Sequence, residues 1–267
     1  MLPRSTWRLL DTGARDGATN MALDEAIARG VADGTSPPTL RFFAWQPACL
    51  SLGQAQPAAD VDFAACRALG VDVVRRPTGG RAILHTDELT YSVTARDGEP
   101  RLRGGIVESY RRLSEGLLAG LVRLGLPVAQ VERPDTHDRH DGPVCFEVPS
   151  NYEIVFDGRK LVGSAQMRKN GVVLQHGSLP LVGDIGRICD VLTSRPDRAR
   201  VRARAITVER ALDRVVAYAE AARALSAGFA SALNLEFEPG ELTRQERACL
   251  EELRRDKYAS ANWTHRL

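Results

Sequence analysis

Between residues 152 and 181 the chain carries four strand-like runs, Tyr152–Phe156, Leu161–Ala165, Val172–Gln175 and Ser178–Leu181. The first three are separated by two tight-turn signals, Asp157-Gly158 and Lys169-Asn170-Gly171. Asp-Gly and Asn-Gly reverse the chain between antiparallel strands, because both central residues tolerate positive φ. A meander of this kind commits the middle of the chain to an antiparallel sheet. Helical patterns surround it. Asn20–Arg29 puts Leu23, Ala26 and Ile27 on one face, with Thr19 or Asn20 as the expected cap; Asp62–Leu69 is stopped by Gly70; Ser109–Leu124 is ended by Gly125 and Pro127. Further helix is expected from Thr207 to Ala232 and from Leu242 to Arg255. Leu40–Trp45 and Val71–Arg75 read as strands, and Glu88–Thr94 alternates with period two, as a half-buried strand does. Helix, strands, helix, antiparallel strands, helices is an α+β order with a mixed sheet, not a doubly wound one. With no repeat and no long linker, residues 1–267 are expected to form a single domain with its core over about 34–240.

A chain of 267 residues can bury a full core without disulfides or metals. Lys+Arg number 36 against 34 Asp+Glu, a net charge of +2 that gives no global field for nucleic acid. No apolar run approaches the ~20 residues of a membrane span, and the N-terminus lacks a signal-like apolar stretch. The expectation is a cytoplasmic protein that meets neither membrane nor nucleic acid and keeps its thiols reduced. The five cysteines form no CxxC pair, so no zinc site is expected. His137 and His140 lie in a polar stretch, residues 134–142, that reads as a solvated loop with no fixed metal geometry.

Several segments can carry chemistry. Arg75-Arg76-Pro77-Thr78-Gly79-Gly80-Arg81-Ala82-Ile83-Leu84-His85 combines a Gly-Gly turn that lets backbone approach a ligand with arginines able to pair with an anion. A strand–turn–strand corner with solvated arginines fits it equally. It is neither a Walker loop nor a dinucleotide fingerprint. Cys145 stands at the end of the polar stretch, in Val144-Cys145-Phe146-Glu147, where a thiol is less readily a core filler than at Cys66 or Cys189. Lys160 follows the Asp157-Gly158 turn and runs into Gly163-Ser164-Ala165, small residues against which a ligand chain can lie. A lysine near a cysteine raises the thiolate fraction, although most turn lysines are merely solvated. His176-Gly177 sits between two strand runs, where a histidine orients a substrate or simply satisfies a sheet end. Arg195, Arg198, Arg200, Arg202 and Arg204 form a basic run, either a solvated loop or a contact for an acidic partner.

Taken in order, Asn20-Met21-Ala22-Leu23-Asp24-Glu25-Ala26, Leu50-Ser51-Leu52-Gly53-Gln54, the Arg75–His85 stretch, Gly158–Gln166, His176-Gly177-Ser178-Leu179, and Lys257-Tyr258 followed by Trp263 resemble the lipoate-protein ligase and octanoyltransferase superfamily. The likeness spans nearly the whole chain. It implies an α+β fold with a mixed, largely antiparallel sheet flanked by helices, of the kind shared by biotin protein ligases and related to class II aminoacyl-tRNA synthetases. The Val-Cys-Phe-Glu-Val-Pro-Ser wording resembles the LipM-type octanoyltransferases, whose cysteine lies on this segment. The implied activity is acyl transfer without a cofactor: octanoate passes from octanoyl-acyl carrier protein through a thioester on Cys145 to a lysine of a glycine cleavage H protein or of a dehydrogenase (E2) lipoyl domain. Lys160 is then the cation that lowers the thiol pKa and contacts the carbonyl. Arg76, Thr78, Gly79, Gly80, His85, Gly163, Ser164, Ala165, His176 and Gly177 are the implied substrate-binding residues. An ATP-dependent lipoate–protein ligase and a cysteine-dependent amidotransferase between lipoyl domains are the nearest alternatives.

Overall fold

The computed structural model describes residues 2–131, 144 and 153–267. In chain order these form β1 (Ser5–Arg15), α1 (Gly17–Asp33), β2 (Thr39–Trp45), β3 (Cys49–Leu52), α2 (Phe63–Ala68), β4 (Asp72–Arg75), β5 (Ile83–His85), β6 (Glu88–Arg96), α3 (Ile106–Arg123), β7 (Ala129–Val131) and β8 (Glu153–Phe156). There follow β9 (Arg159–Lys169), β10 (Val172–Pro180), α4 (Arg198–Arg204), α5 (Val208–Leu212), α6 (Tyr218–Leu233), β11 (Leu235–Pro239), α7 (Arg244–Leu253) and α8 (Ala261–Thr264).

The larger sheet runs β11-β1-β2-β6-β10-β9-β8-β7. β1 pairs parallel with both β11 and β2, and every other joint is antiparallel. The two turn signals do the work expected of them. Asp157 and Gly158 take φ of 50° and 71° between β8 and β9, and Asn170 and Gly171 take 53° and 70° between β9 and β10. A smaller sheet, β4-β3-β5, stands apart. The mixed, largely antiparallel sheet flanked by helices is thus the fold the chain builds.

Each face of the large sheet has its own core. On one side Leu113, Leu117 and Leu121 of α3 and Leu225 and Phe229 of α6 cluster with Tyr91, Val93 and Val173 of the strands. On the other, Met21, Ala22 and Ala26 of α1 cluster with Phe43, Trp45, Val74 and, from the C-terminal segment, Leu253 and Tyr258. A third cluster joins the small sheet to Ile188, Val191 and Val201 and includes Val144. These apolar groups leave water together, each large side chain contributing about 1.5–3 kcal/mol.

Five expectations need correction. The helix expected from Thr207 to Ala232 breaks between α5 and α6, where Asp213 takes φ of 52°. α1 starts at Gly17, and its cap is Asp16, whose Oδ1 accepts from Thr19 N–H at 2.9 Å, rather than Thr19 or Asn20. β10 is one unbroken strand, with His176 and Gly177 inside it. It passes through Gly177 because a Cβ there would lie 2.4 Å from Ser164 Oγ and 2.6 Å from the Tyr91 ring, so only glycine fits. β6 is buried on both faces, not one: Glu88, Thr90, Ser92 and Thr94 form a polar face covered by protein. The basic run is mostly the helix α4, and it meets acids of this same chain: Arg195 pairs with Asp62 at 2.7 Å, Arg202 with Asp184 at 2.6 Å, and Arg198 with Asp190. β1, β3, β7 and β11 have no counterpart in the sequence reading.

Candidate active site

A cavity lies between the two sheets. The large sheet supplies Trp45, Thr90, His176, Gly177, Ser178 and the Gly163-Ser164-Ala165 run, and α1 adds Met21. The small sheet and its connecting turn supply Ser51, Arg76, Gly80, Ile83 and His85. The register of β9 against β10 explains part of this convergence, since Ala165 faces His176 and Gly163 faces Ser178 across the ladder. Of the ten substrate-binding residues expected from sequence, eight therefore border one space. Thr78 and Gly79 stand just behind it, in the turn that Arg76 organises.

That turn is held from within. Arg76 Nη2 donates to Gly79 O at 2.7 Å and to Arg81 O at 2.8 Å, while Nη1 donates to Ser51 O at 3.0 Å. Gln54 N–H donates to Thr78 O at 2.8 Å. Gly53 permits the close approach: a Cβ there would lie 1.8 Å from Gly80 O. Arg75, expected to be a possible anion partner, is instead fully buried and donates to the carbonyls of Gly53, Gln56 and Thr264 at 2.9, 2.5 and 2.8 Å. It ties the C-terminal segment to the same turn.

Two histidines border the cavity, each backed by a buried carboxylate. Asp24 Oδ2 lies 3.0 Å from His176 Nδ1, and His176 Nε2 lies 2.6 Å from Thr78 Oγ1. The carboxylate fixes the ring proton on Nδ1, so Nε2 accepts the Thr78 hydroxyl proton. Asp24 also accepts from Arg41 Nη1 at 2.7 Å and from Ser92 Oγ at 2.8 Å. Burial works against its charge, but Arg41, His176 and Ser92 outweigh burial and hold the carboxyl below the usual range. Burial is also the main influence on His176 and lowers its pKa despite Asp24. The second histidine, His85, meets Glu88 Oε1 at 2.8 Å through Nδ1 and Ser51 Oγ at 2.8 Å through Nε2. Its ring stacks on Trp45, with centroids 4.0 Å apart and planes 10° from parallel.

Lys160 is buried (5% exposed) at the second position of β9, three residues before Gly163; its carbonyl accepts from Ile206 N–H at 3.0 Å. It does not itself border the cavity. Cys145, like His137 and His140, lies outside the described residues. Its sequence neighbour Val144 is described: it is fully buried and bridges in parallel to Ala82, between Arg81 and the cavity residue Ile83. Of the described cysteines, burial pushes the Cys66 thiol up to about 11 and the Cys49 and Cys249 thiols up as well, which disfavours thiolates there.

Sequence reasoning missed Asp24, Ser51, Glu88 and Thr90. All but Ser51 carried a signal. Asp24 is an acid among apolar positions of an amphipathic helix, and Glu88, Thr90 and Ser92 are a polar every-other-residue row that looks like a solvated strand face. Both faces are instead covered, one by the other.

Comparison with known proteins agrees with this geometry. Residues 16–230 match the family described as the lipoyl protein ligase A/B catalytic domain. The chain is 46% identical over 274 residues to an octanoyltransferase LipM from Symbiobacterium thermophilum, covering 98% of this chain and 99% of that one. It is 38% identical to octanoyltransferase LipM of Bacillus subtilis, covering 99% of this chain and all of that one. Among solved structures, lipoate-protein ligase A bound with ATP superposes with a TM-score of 0.82 at 26% identity, over 98% of this chain and 99% of that one. A bipartite lipoate protein ligase from Thermoplasma acidophilum gives 0.81 at 25% identity, over 98% and 97%. The chain belongs to the lipoyl protein ligase A/B catalytic-domain family and, within it, to the LipM octanoyltransferases.

Proposed function

We infer that this protein is an octanoyltransferase of lipoate biosynthesis, acting on lipoyl-domain proteins, and that octanoate resides in the cavity between the two sheets. The observation that carries the reading is the meeting of Arg76, Gly80, His85, Gly163–Ala165 and His176–Gly177 around one cavity, in a chain that matches LipM octanoyltransferases from end to end. An eight-carbon tail buried there gains about 0.8 kcal/mol per CH₂.

The donor is octanoyl-acyl carrier protein, and the acceptor is a lysine of a glycine cleavage H protein or an E2 lipoyl domain. The Cys145 thiolate attacks the donor thioester carbonyl; the carrier's C–S bond breaks, and its phosphopantetheine sulfur leaves and takes up a proton. The neutral ε-amine of the acceptor lysine then attacks the new thioester. An amide forms, the Cys145 sulfur leaves, and the amine's spare proton passes to solvent. Splitting the transfer in two lets amide formation drive it without ATP. Lys160, on the strand that borders the cavity, stabilises the thiolate and the developing oxyanion by charge. Support for Cys145 comes from its sequence position beside Val144, which is bridged to Ala82, and from the raised thiols elsewhere.

The test is transfer from octanoyl-carrier protein to a lipoyl domain with nucleotide rigorously absent, followed by peptide mapping of the acceptor lysine. Amide formation without ATP supports the transferase. Strict dependence on ATP would transfer the protein to the ligase reading that its likeness to ATP-bound lipoate-protein ligase A represents.

A further inference from the structure

One buried carboxylate organises much of the cavity wall without bordering the cavity. Glu88 Oε1 accepts from His85 Nδ1 at 2.8 Å and from Thr90 Oγ1 at 2.5 Å, and Oε2 accepts from Ser178 Oγ at 2.6 Å. Each of those partners passes the constraint on. Thr90 Oγ1 accepts from the Trp45 indole N–H at 2.8 Å, and because that hydroxyl gives its own proton to Glu88, the chain has a direction. His85 meets Ser51 through Nε2, and Ser51 Oγ accepts from Arg76 Nη1 at 3.2 Å. Trp45 and His85 are then stacked face to face, each pinned at its nitrogen to the same anion, directly or through one hydroxyl. All the partners border the cavity, whereas Glu88 does not and borders two other clefts.

We propose that Glu88 is a positioning residue for acyl-chain selection: it fixes the stacked Trp45–His85 pair as a rigid wall of the cavity and so limits the length of chain the cavity admits. The inference rests on the reading that this cavity holds the acyl chain. Burial alone would raise the Glu88 carboxyl, but His85, Ser178 and Thr90 outweigh it and keep it below the usual range, so the anchor remains an anion at neutral pH. Without it, the Thr90 proton and the His85 Nδ1–H lose their acceptor, and a void opens behind the rings. Both rings then gain freedom to turn, and a longer chain displaces them at little cost. A two-ring wall that holds firm discriminates by tenfold or more per excluded methylene, on the order seen for shaped apolar pockets. A yielding wall does not.

The experiment measures kcat/KM with octanoyl-, decanoyl- and dodecanoyl-carrier protein for the full-length wild type and for Glu88→Ala, Glu88→Gln, Thr90→Val and Trp45→Ala. Thr90→Val keeps the side-chain shape and removes the hydroxyl that links the indole to Glu88, leaving the His85–Glu88 contact in place. Glu88→Gln keeps one acceptor oxygen for His85 and Thr90 and offers N–H to Ser178. The inference expects the C8:C12 ratio to fall about tenfold or more in Glu88→Ala and Thr90→Val, and to stay at the wild-type value in Glu88→Gln whatever its overall rate. If Glu88→Ala fails to fold, Thr90→Val alone decides. A shifted ratio in Trp45→Ala with unchanged ratios in Glu88→Ala and Thr90→Val overturns the positioning role and leaves the cavity assignment intact. An unchanged ratio in Trp45→Ala overturns the cavity assignment itself.

Discussion

Replacing Asp24 by asparagine removes one charge and almost no volume, so its cost isolates what that charge does. Asp24 and Arg41 are both fully buried and meet at 2.7 Å. Breaking such a pair from one side costs about 3–5 kcal/mol, because the remaining ion is left in a medium that solvates it poorly. Arg41 retains several neutral partners: Asn20 O at 3.1 Å, Asn20 Oδ1 at 2.6 Å and Thr12 Oγ1 at 2.9 Å, with the Phe43 ring 3.8 Å below. The loss is therefore expected at the lower end, about 3 kcal/mol, or a fall in Tm of about 6–12 °C for a chain of this size. The amide also reverses a hydrogen bond, since its N–H₂ facing His176 Nδ1 donates where the carboxylate accepted. That moves the ring proton to Nε2 and turns Thr78 from donor to acceptor. Urea unfolding followed by circular dichroism gives the stability. The double variant Asp24→Asn/Arg41→Met, which removes the stranded cation, should recover part of the loss. A loss below about 1 kcal/mol for Asp24→Asn, or a double variant less stable than the single one, contradicts the claim that this ion pair is the anchor behind His176.

Other outcomes are as definite. Gly53→Ala forces Gly80 O to retreat by more than 1 Å, and should cost about 1–3 kcal/mol and lower kcat/KM steeply, as measured by unfolding and steady-state kinetics; full activity would show that the turn is not held against β3. The folded-state pKa of His176 lies below its free value of 6.5, so the unfolded chain protonates first and stability is lost as the pH falls from about 6.5, with Asp24 and Glu88 adding losses in more acid solution because their carboxyls are depressed too. The urea midpoint should drop between pH 7.5 and pH 5, less so in His176→Gln; equal drops in the two proteins would discount His176. Lys160→Ala should slow iodoacetamide labelling of Cys145 near pH 7, and an unchanged rate would remove the proposed effect of that cation on the thiol.

The antiparallel centre of this fold was readable because its signals are local. Asp157-Gly158 and Asn170-Gly171 impose their turns whatever surrounds them, and the amphipathic face of α3 needs only its own sequence. The glycine-rich turn and the Gly163–Ala165 run were readable for the same reason, as small residues that leave room. What stayed hidden depends on long-range pairing. β1 joins a sheet through β2 and β11, the latter more than two hundred residues away in sequence, and nothing in its own pattern announces it. The polar row of β6 follows the period-two rule faithfully, yet α1 and the small sheet cover it, so residues that looked solvated are the ones that hold His85, Trp45 and Asp24. The arginines from Arg195 to Arg204 were visible as a run, while the aspartates that meet them, Asp62, Asp184 and Asp190, come together only in three dimensions.

The central claim is that octanoate becomes covalently attached to the sulfur of Cys145 before it reaches the acceptor. Intact-mass analysis of the full-length protein, mixed with octanoyl-carrier protein in the absence of ATP and of any acceptor, tests it directly. The wild type should gain the mass of one octanoyl group, sensitive to neutral hydroxylamine as a thioester is, and Cys145→Ser should gain no such hydroxylamine-labile group. A wild type that stays at its native mass, or a hydroxylamine-labile adduct that persists in Cys145→Ser, contradicts the account.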